Sequence, residues 1–145
     1  MAPFCYFLTE AIWSDVLAED RLKSTVYRGT QMAPDLIHHF ENEIGTYKCW
    51  YTFISSSKSH AVADMFGNVV FIIDISRTGG LNVSAYSHFG DEEEVMLSPG
   101  ITFRIDKVEH SDSKTHIYIC TIPEVRMILL GRTGTGNSTN SFVLR

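Results

Sequence analysis

The sequence has little of what a secreted, membrane-spanning or nucleic-acid-binding protein needs. Its three cysteines are an odd number with no close pair, so neither a disulfide framework nor a metal site is predicted. Lys and Arg number 12 against 17 Asp and Glu, a net charge of −5, which leaves no broad basic surface for nucleic acid. No apolar run is long enough to cross a membrane, and nothing basic precedes the first apolar residues. We therefore expect a cytoplasmic monomer with no metal, nucleic-acid or membrane partner.

What the chain does contain is the ordinary composition of one globular domain. It has 145 residues, of which 44% are hydrophobic and 20% charged, enough for a core of its own. Helical and strand-like segments mix in the first half, whereas the second half is rich in strands. This order favours the α+β class over alternating βαβ units.

Apolar periodicity places the individual elements. Val69–Ile75 is almost uninterrupted in apolar residues and is expected to be a buried central strand. Arg77–Tyr86 contains glycine and serine and is expected to be a loop. The predicted helices are Phe4–Asp20, Met32–Ile44 and Ser59–Phe66, the last with Ala61, Val62 and Met65 inward. The other predicted strands are Ser24–Gly29, Cys49–Ser57, Val95–Leu97, Ile101–Val108 and Ile117–Ile122.

Three consecutive carboxylates, Glu92, Glu93 and Glu94, run directly into the strand that begins at Val95. On an extended chain, residues two apart point to the same face, so Glu92 and Glu94 are predicted to converge, with Glu93 opposite. Two like charges aimed at one place repel each other, which is unfavourable unless a function requires it. The alternative is a solvated acidic loop before a strand.

Two more polar patterns end predicted strands. The first is Tyr27-Arg28-Gly29, and the second is the serine triplet from Ser55 to Ser57. Each pattern is weak alone, because an arginine at a strand end is usually a surface charge and a serine triplet is usually a loop.

Taken together, the three patterns resemble the Arg, Ser-x-Ser and Glu-x-Glu motifs of the arginine-specific mono-ADP-ribosyltransferases. Arg28 lies 27 positions before Ser55, and Ser55 lies 39 positions before Glu94. The likeness also includes the segments 8–12, 61–68 and 83–87, and it extends roughly from Phe4 to Ile122. It implies an ADP-ribosyltransferase-like fold, with helices in the N-terminal part and a strand-rich, two-sheet core around a cleft for NAD.

The resemblance assigns the NAD-binding residues. Arg28 would bind the pyrophosphate, because a guanidinium fork matches phosphate oxygens, and Gly29 would let the backbone approach closely. Ser55 would position the catalytic glutamate. Ser57 shares the face of Ser55, so its hydroxyl could also orient the substrate.

The resemblance also assigns the two glutamates. Glu94 would stabilise the positive charge that develops on the ribose and would bond the ribose 2′-hydroxyl. Glu92 would hold the incoming guanidinium and help to activate it as a nucleophile. In the preceding loop, Tyr86 and Phe89 are candidates to stack on the target arginine, with local packing as the equal alternative.

The resulting hypothesis is that residues 1–124 transfer ADP-ribose from NAD to arginine in a protein acceptor or in a small guanidino compound. Two alternatives of the same fold are a catalytically weak or inactive NAD-binding or interaction module and an NAD glycohydrolase. NAD turnover with and without agmatine discriminates between them.

Residues 125–145 are predicted to be a tail. The stretch from Met127 to Thr139 resembles the phosphate-binding loop of the immune-associated nucleotide-binding GTPases, with the expected spacing from Gly131 to Gly136. However, Asn137 stands where the phosphate-binding lysine belongs, and seven residues after Ser138 cannot form a nucleotide-binding sheet. We therefore interpret this stretch as a remnant, and binding of a nucleoside triphosphate as the weakest hypothesis.

Overall fold

A computed structural model describes residues 21–84 and 93–123 of the chain. Several sequence-based predictions lie outside these residues and stay predictions here. They are the helix Phe4–Asp20, the tail 125–145, and the candidate acceptor-binding residues Tyr86, Phe89 and Glu92.

The described residues form nine strands in one sheet with the order β1-β6-β7-β4-β2-β5-β9-β8-β3. Neighbouring strands are antiparallel, except that β5 and β9 are parallel. The strands are β1 Arg21–Leu22, β2 Thr25–Thr30, β3 Tyr47–Trp50, β4 Ile54–Ser57, β5 Val69–Asp74, β6 Gly80–Asn82, β7 Glu94–Leu97, β8 Ile101–His110 and β9 Thr115–Ile122.

The expected two-sheet core is not confirmed, because β2 bonds to strands on both of its edges. On one edge it pairs with β5 along six residues, from Thr25 to Thr30. On the other edge it pairs with β4 at one position, Tyr27 opposite Ser57. The two groups of strands are thereby joined into a single sheet.

Two helices lie in the described part of the chain, α1 over Pro34–Asn42 and α2 over His60–Asp64. Both were predicted, although each is shorter than its sequence pattern suggested. α1 begins only at Pro34 because Ala33 still has extended backbone angles. Ser59 precedes α2, and its hydroxyl accepts a hydrogen bond from the Val62 N–H at 3.3 Å. Within the described ranges, no helix is both long and apolar enough to cross a membrane.

The core lies against one face of the central strands. Phe71, Ile73 and Phe103 are almost fully buried there, and Phe40 of α1 packs edge-on against Phe71 with ring centroids 5.5 Å apart. β5 is buried and central, as its apolar run predicted. Asp74, the one charged residue in that run, accepts a hydrogen bond from the Ser76 N–H at 2.9 Å.

Two predicted boundaries are wrong. The strand expected over Cys49–Ser57 is two strands, β3 and β4, which pair with β8 and β7 respectively. The loop expected over Arg77–Tyr86 contains the short strand β6. Gly80 in β6 allows close packing, since a Cβ there would lie 2.8 Å from a Val95 methyl group.

Candidate active site

A cleft of about 180 Å³ opens where β2, β4, the start of β7 and α2 meet. Residues of all three polar patterns that the sequence singled out line this cleft, the acidic pattern through Glu94. Its walls are Tyr27, Arg28 and Gly29 of β2, Ser55 to Ser57 of β4, Glu94 of β7, and Val62, Ala63 and Phe66 of α2 and the turn after it.

Arg28 is half-buried, and its Nη1 donates a hydrogen bond to the Ser55 carbonyl oxygen at 2.8 Å. Among the described residues this is the guanidinium's one hydrogen bond. Burial lowers the pKa of Arg28, but an arginine stays protonated at neutral pH. The cleft therefore contains a fixed positive charge, and the guanidinium has further N–H donors available for a ligand.

Ser55 and Glu94 are in direct contact. Ser55 is exposed on β4, and its Oγ donates to Glu94 Oε1 at 2.7 Å. Glu94 is half-buried as the first residue of β7, opposite Ser57 in the strand ladder. Because a hydrogen bond to a carboxylate is stronger than a neutral one, this contact holds the Glu94 side chain in one direction.

Arg28, Ser55 and Glu94 thus form one connected group, although they are far apart in the sequence. The backbone carbonyl of Ser55 accepts from Arg28, while its hydroxyl donates to Glu94. An anion-binding guanidinium and an oriented carboxylate therefore face the same cleft. Such a pair can hold a phosphate-containing substrate and stabilise positive charge that develops next to it.

Ser57 and Gly29 also line the cleft, but their clearest contacts are structural. The Ser57 Oγ accepts a hydrogen bond from the Ser59 N–H at 3.0 Å, where β4 turns into α2. A Cβ at Gly29 would lie 1.9 Å from the Ala63 carbonyl oxygen, so α2 can rest on β2 only because this residue is glycine. The roles of both residues toward NAD stay predictions.

Glu93 departs from the geometry that the sequence suggested. Its φ of 48° lies in the left-handed region, which is uncommon for a residue with a side chain. The alternation argument for Glu92 and Glu94 assumed an extended backbone through Glu93, and that assumption was wrong. The Glu93 carbonyl oxygen accepts a hydrogen bond from the Lys58 N–H at 3.1 Å, which holds this conformation.

Sequence reasoning did not find the apolar wall formed by Val62, Ala63 and Phe66. It predicted that Ala61, Val62 and Met65 point inward, but Ala63 is the buried residue and Met65 is 73% exposed. α2 ends at Asp64, so Met65 and Phe66 lie in a turn where helical periodicity no longer applies. The glycine at position 29 was the available signal, because it marks where another element rests on β2.

A family model described as NAD:arginine ADP-ribosyltransferase matches residues 1–124. No match was found among curated proteins.

Solved structures of ADP-ribosyltransferases are similar in fold. HopU1 of Pseudomonas syringae pv. tomato DC3000 superposes with a TM-score of 0.66 at 24% identity, over 74% of this chain and 48% of HopU1. Vis toxin, an ADP-ribosyltransferase from Vibrio splendidus, superposes with a TM-score of 0.58 at 29% identity, over 70% of this chain and 49% of Vis. Vis has also been solved in complex with agmatine, at 28% identity to this chain, a TM-score of 0.59, and coverage of 70% of this chain and 50% of Vis. The chain thus spans about half the length of these proteins.

Proposed function

Because the chain belongs to the NAD:arginine ADP-ribosyltransferase family, we propose that it transfers ADP-ribose from NAD to the guanidinium group of arginine, with release of nicotinamide. The observation that carries this proposal is the connected group of Arg28, Ser55 and Glu94 in the cleft. The acceptor is an arginine side chain of a protein or a small guanidino compound.

The described cleft suits part of an NAD molecule. Arg28 offers guanidinium donors to the pyrophosphate, and the apolar wall with the half-exposed Phe66 suits the flat nicotinamide ring. The volume of about 180 Å³ is below the roughly 300–1,000 Å³ of typical ligand sites. The described residues therefore account for only part of a dinucleotide site.

Glu94 is the residue that we propose for the chemical step. When the bond between nicotinamide and ribose breaks, the electron pair leaves with nicotinamide and positive charge develops on the ribose. A carboxylate already fixed by Ser55 stabilises that charge without having to reorganise. A guanidinium nitrogen then forms the new bond to the ribose and gives up a proton, for which Glu92 is the proposed acceptor.

The guanidino acceptor is supported by the family description and by the agmatine complex of Vis. Glu92, Tyr86 and Phe89 stay the proposed acceptor-binding residues, although they lie outside the described residues.

The test follows two products in one assay. Purified chain is incubated with NAD, with and without agmatine, and both nicotinamide release and labelled agmatine are measured. Glu94→Gln should lower both rates roughly a hundred- to a thousandfold, because it removes the fixed charge. If Glu94→Gln turns over NAD like the wild type, the mechanism is wrong. If the wild type does not turn over NAD at all, the chain is an inactive module of this fold.

A second variant tests the acceptor. Glu92→Gln should lose transfer to agmatine but keep measurable release of nicotinamide, because water can accept ADP-ribose when arginine cannot. Equal loss of both products would place Glu92 in NAD cleavage itself. A wild type that releases nicotinamide but never labels agmatine would be an NAD glycohydrolase.

A further inference from the structure

Lys114, in the loop between β8 and β9, reaches across to the turn that follows α2. Its Nζ donates hydrogen bonds to two backbone carbonyl oxygens, that of Asp64 at 2.6 Å and that of Gly67. Asp64 is the last residue of α2, so its carbonyl oxygen lacks a partner within the helix. An ammonium group beside a helix C-terminus satisfies such carbonyls and complements their negative potential.

Neighbouring contacts fix the other end of this turn to the sheet. The Thr115 N–H donates to the Asn68 carbonyl oxygen at 3.0 Å. The Asn68 side chain in turn holds both the N–H and the carbonyl of Met32, at 2.8 and 2.9 Å. On the inner side, a Cβ at Gly29 would lie 2.6 Å from the Phe66 carbonyl oxygen, so the turn rests directly on β2.

The turn carries Phe66, the aromatic part of the cleft's apolar wall. Phe66 is 50% exposed, so its own burial does little to hold it, and its direction depends on the backbone of the turn. Lys114 is not among the residues that line the cleft, so it contacts the backbone of this turn without being part of the cleft wall.

We propose that Lys114 is a positioning residue for NAD binding: its ammonium group fixes the turn at residues 64–67 and thereby holds Phe66 against the nicotinamide end of the substrate. The inference rests on the proposed function. It predicts an effect on KM for NAD rather than on kcat, since neither Lys114 nor Phe66 contacts the Ser55–Glu94 pair by hydrogen bonding.

Lys114→Met is the main variant, because it keeps an unbranched side chain of similar length but removes the ammonium group. The KM for NAD should rise about tenfold with kcat within about twofold, the size expected when charge-assisted hydrogen bonds are lost outside the reacting centre. Lys114→Arg, which can again donate to two carbonyls, should recover most of the affinity.

Lys107→Met is the matched control. Lys107 lies on β8 of the same hairpin, forms an ion pair with Glu109 and lies 5.4 Å from the centre of the Tyr118 ring. The Lys107→Met variant should leave the KM for NAD unchanged. That result would exclude a general effect of losing a lysine from this hairpin.

A double-mutant cycle tests whether Lys114 acts through Phe66. In a Phe66→Ala background, Lys114→Met should raise the KM no further, because the side chain that it positions is already gone. Additive effects of the two substitutions would overturn the proposal.

Amide hydrogen exchange gives a readout that needs no activity. Lys114→Met should speed exchange at residues 62–67 but leave exchange in β5 and β9 unchanged. Lys107→Met should leave exchange at residues 62–67 unchanged. Three results for Lys114→Met would each overturn the inference. The first is unchanged exchange, and the second is faster exchange at residues 62–67 with an unchanged KM. The third is an equal loss of kcat and affinity with faster exchange throughout the sheet. A wild type that does not turn over NAD would instead overturn the proposed function, while exchange still reports whether Lys114 fixes the turn.

Discussion

At the scale of single residues, Arg28 combines two tasks that depend on the shape of its guanidinium group. One nitrogen bonds the Ser55 carbonyl oxygen, and because Arg28 lines the cleft, the other guanidinium donors are the ones we propose for a substrate. Arg28→Lys should weaken NAD binding by roughly 1.5–3 kcal/mol, because an ammonium group cannot bond Ser55 and grip a pyrophosphate in two-pronged fashion. Calorimetric titration with NAD measures the loss.

Arg104→Lys is the control for that variant. Arg104 lies on β8 outside the cleft and pairs with Asp106 at 2.6 Å, so its replacement should leave NAD affinity unchanged. An Arg28→Lys protein that binds NAD as tightly as the wild type would remove Arg28 from the pyrophosphate site.

Glu93 is a second position where one residue decides the geometry of the site, in this instance through its backbone. Its left-handed conformation directly precedes Glu94. Glu93→Val should lower the free energy of unfolding by about 1–2 kcal/mol and reduce NAD turnover, because a β-branched side chain strains this conformation. Glu93→Gly, which adopts it freely, should be close to neutral in both respects.

Urea denaturation and nicotinamide release measure the two effects of these variants. If both substitutions cost the same activity, then the Glu93 carboxylate is what matters rather than the backbone conformation.

These residues show what the sequence could and could not predict. Arg28, Ser55 and Glu94 were singled out because their types and spacing resemble the motifs of one family, and the structure brings the three together in one cleft. Their roles in catalysis and NAD binding stay predictions. The conformation of Glu93 was not found, since a left-handed residue that is neither glycine nor asparagine leaves no pattern in the sequence. Lys114 was missed because it acts on backbone carbonyls, which every residue has.

At the scale of elements, the contact between α2 and β2 decides the shape of the cleft. Gly29→Ala should lower the free energy of unfolding by about 3 kcal/mol, since its Cβ would meet backbone atoms of Ala63 and Phe66 that cannot move alone. The same displacement should shift Phe66 and weaken NAD binding. Chemical denaturation and NAD titration measure the two effects.

Gly45→Ala is the control for Gly29→Ala, because an alanine at position 45 brings backbone strain without crowding. Gly45 has a φ of 89°, but no atom lies within 4 Å of the Cβ position, so alanine there should cost only about 1 kcal/mol from its conformation. Equal losses in the two variants would mean that α2 can move away from β2 at little cost.

The same elements show why some boundaries were predictable. β5 was found because its almost uninterrupted apolar run is typical of a strand in the middle of a sheet. β3 and β4 were merged, since Tyr51 and Phe53 continue the aromatic pattern of Trp50 through the residues that separate the two strands. β6 was missed because Gly80-Leu81-Asn82 is three residues long and begins with glycine.

At the scale of the whole molecule, four carboxylates lead us to expect that the fold is less stable in acid. Their pKa values are lowered by hydrogen bonds that exist only in the folded chain: Glu41 with His110, Glu43 with Lys48, Asp74 with Ser76, and Glu109 with Lys107. A lowered folded-state pKa stabilises the fold above the unfolded-state pKa, and this stability is lost as pH falls through the folded-state value.

The urea midpoint should therefore be lower at about pH 3 than at about pH 6, since unfolded carboxyl groups titrate near pH 4. Glu41→Gln should make this pH dependence shallower, because it removes one of the four groups. A midpoint that does not change between these two pH values would contradict the effect.

The domain boundary at residue 124 and the tail that resembles a GTPase loop stay predictions, because residues 124–145 lie outside the described ranges. The number of sheets could not be read from the sequence either. It depends on the one pair between Tyr27 and Ser57, and a single pair leaves no periodicity to detect.

That pair also bears on how a substrate would hold the sheet together. In the strand ladder, one position joins the strands around β2, β5, β8 and β9 to those around β4, β6 and β7. Arg28 belongs to the first group of strands and Glu94 to the second, and the Arg28–Ser55 hydrogen bond adds a side-chain link between the groups. A substrate that contacts both Arg28 and Glu94 would therefore bridge the two groups of strands beside their single ladder pair.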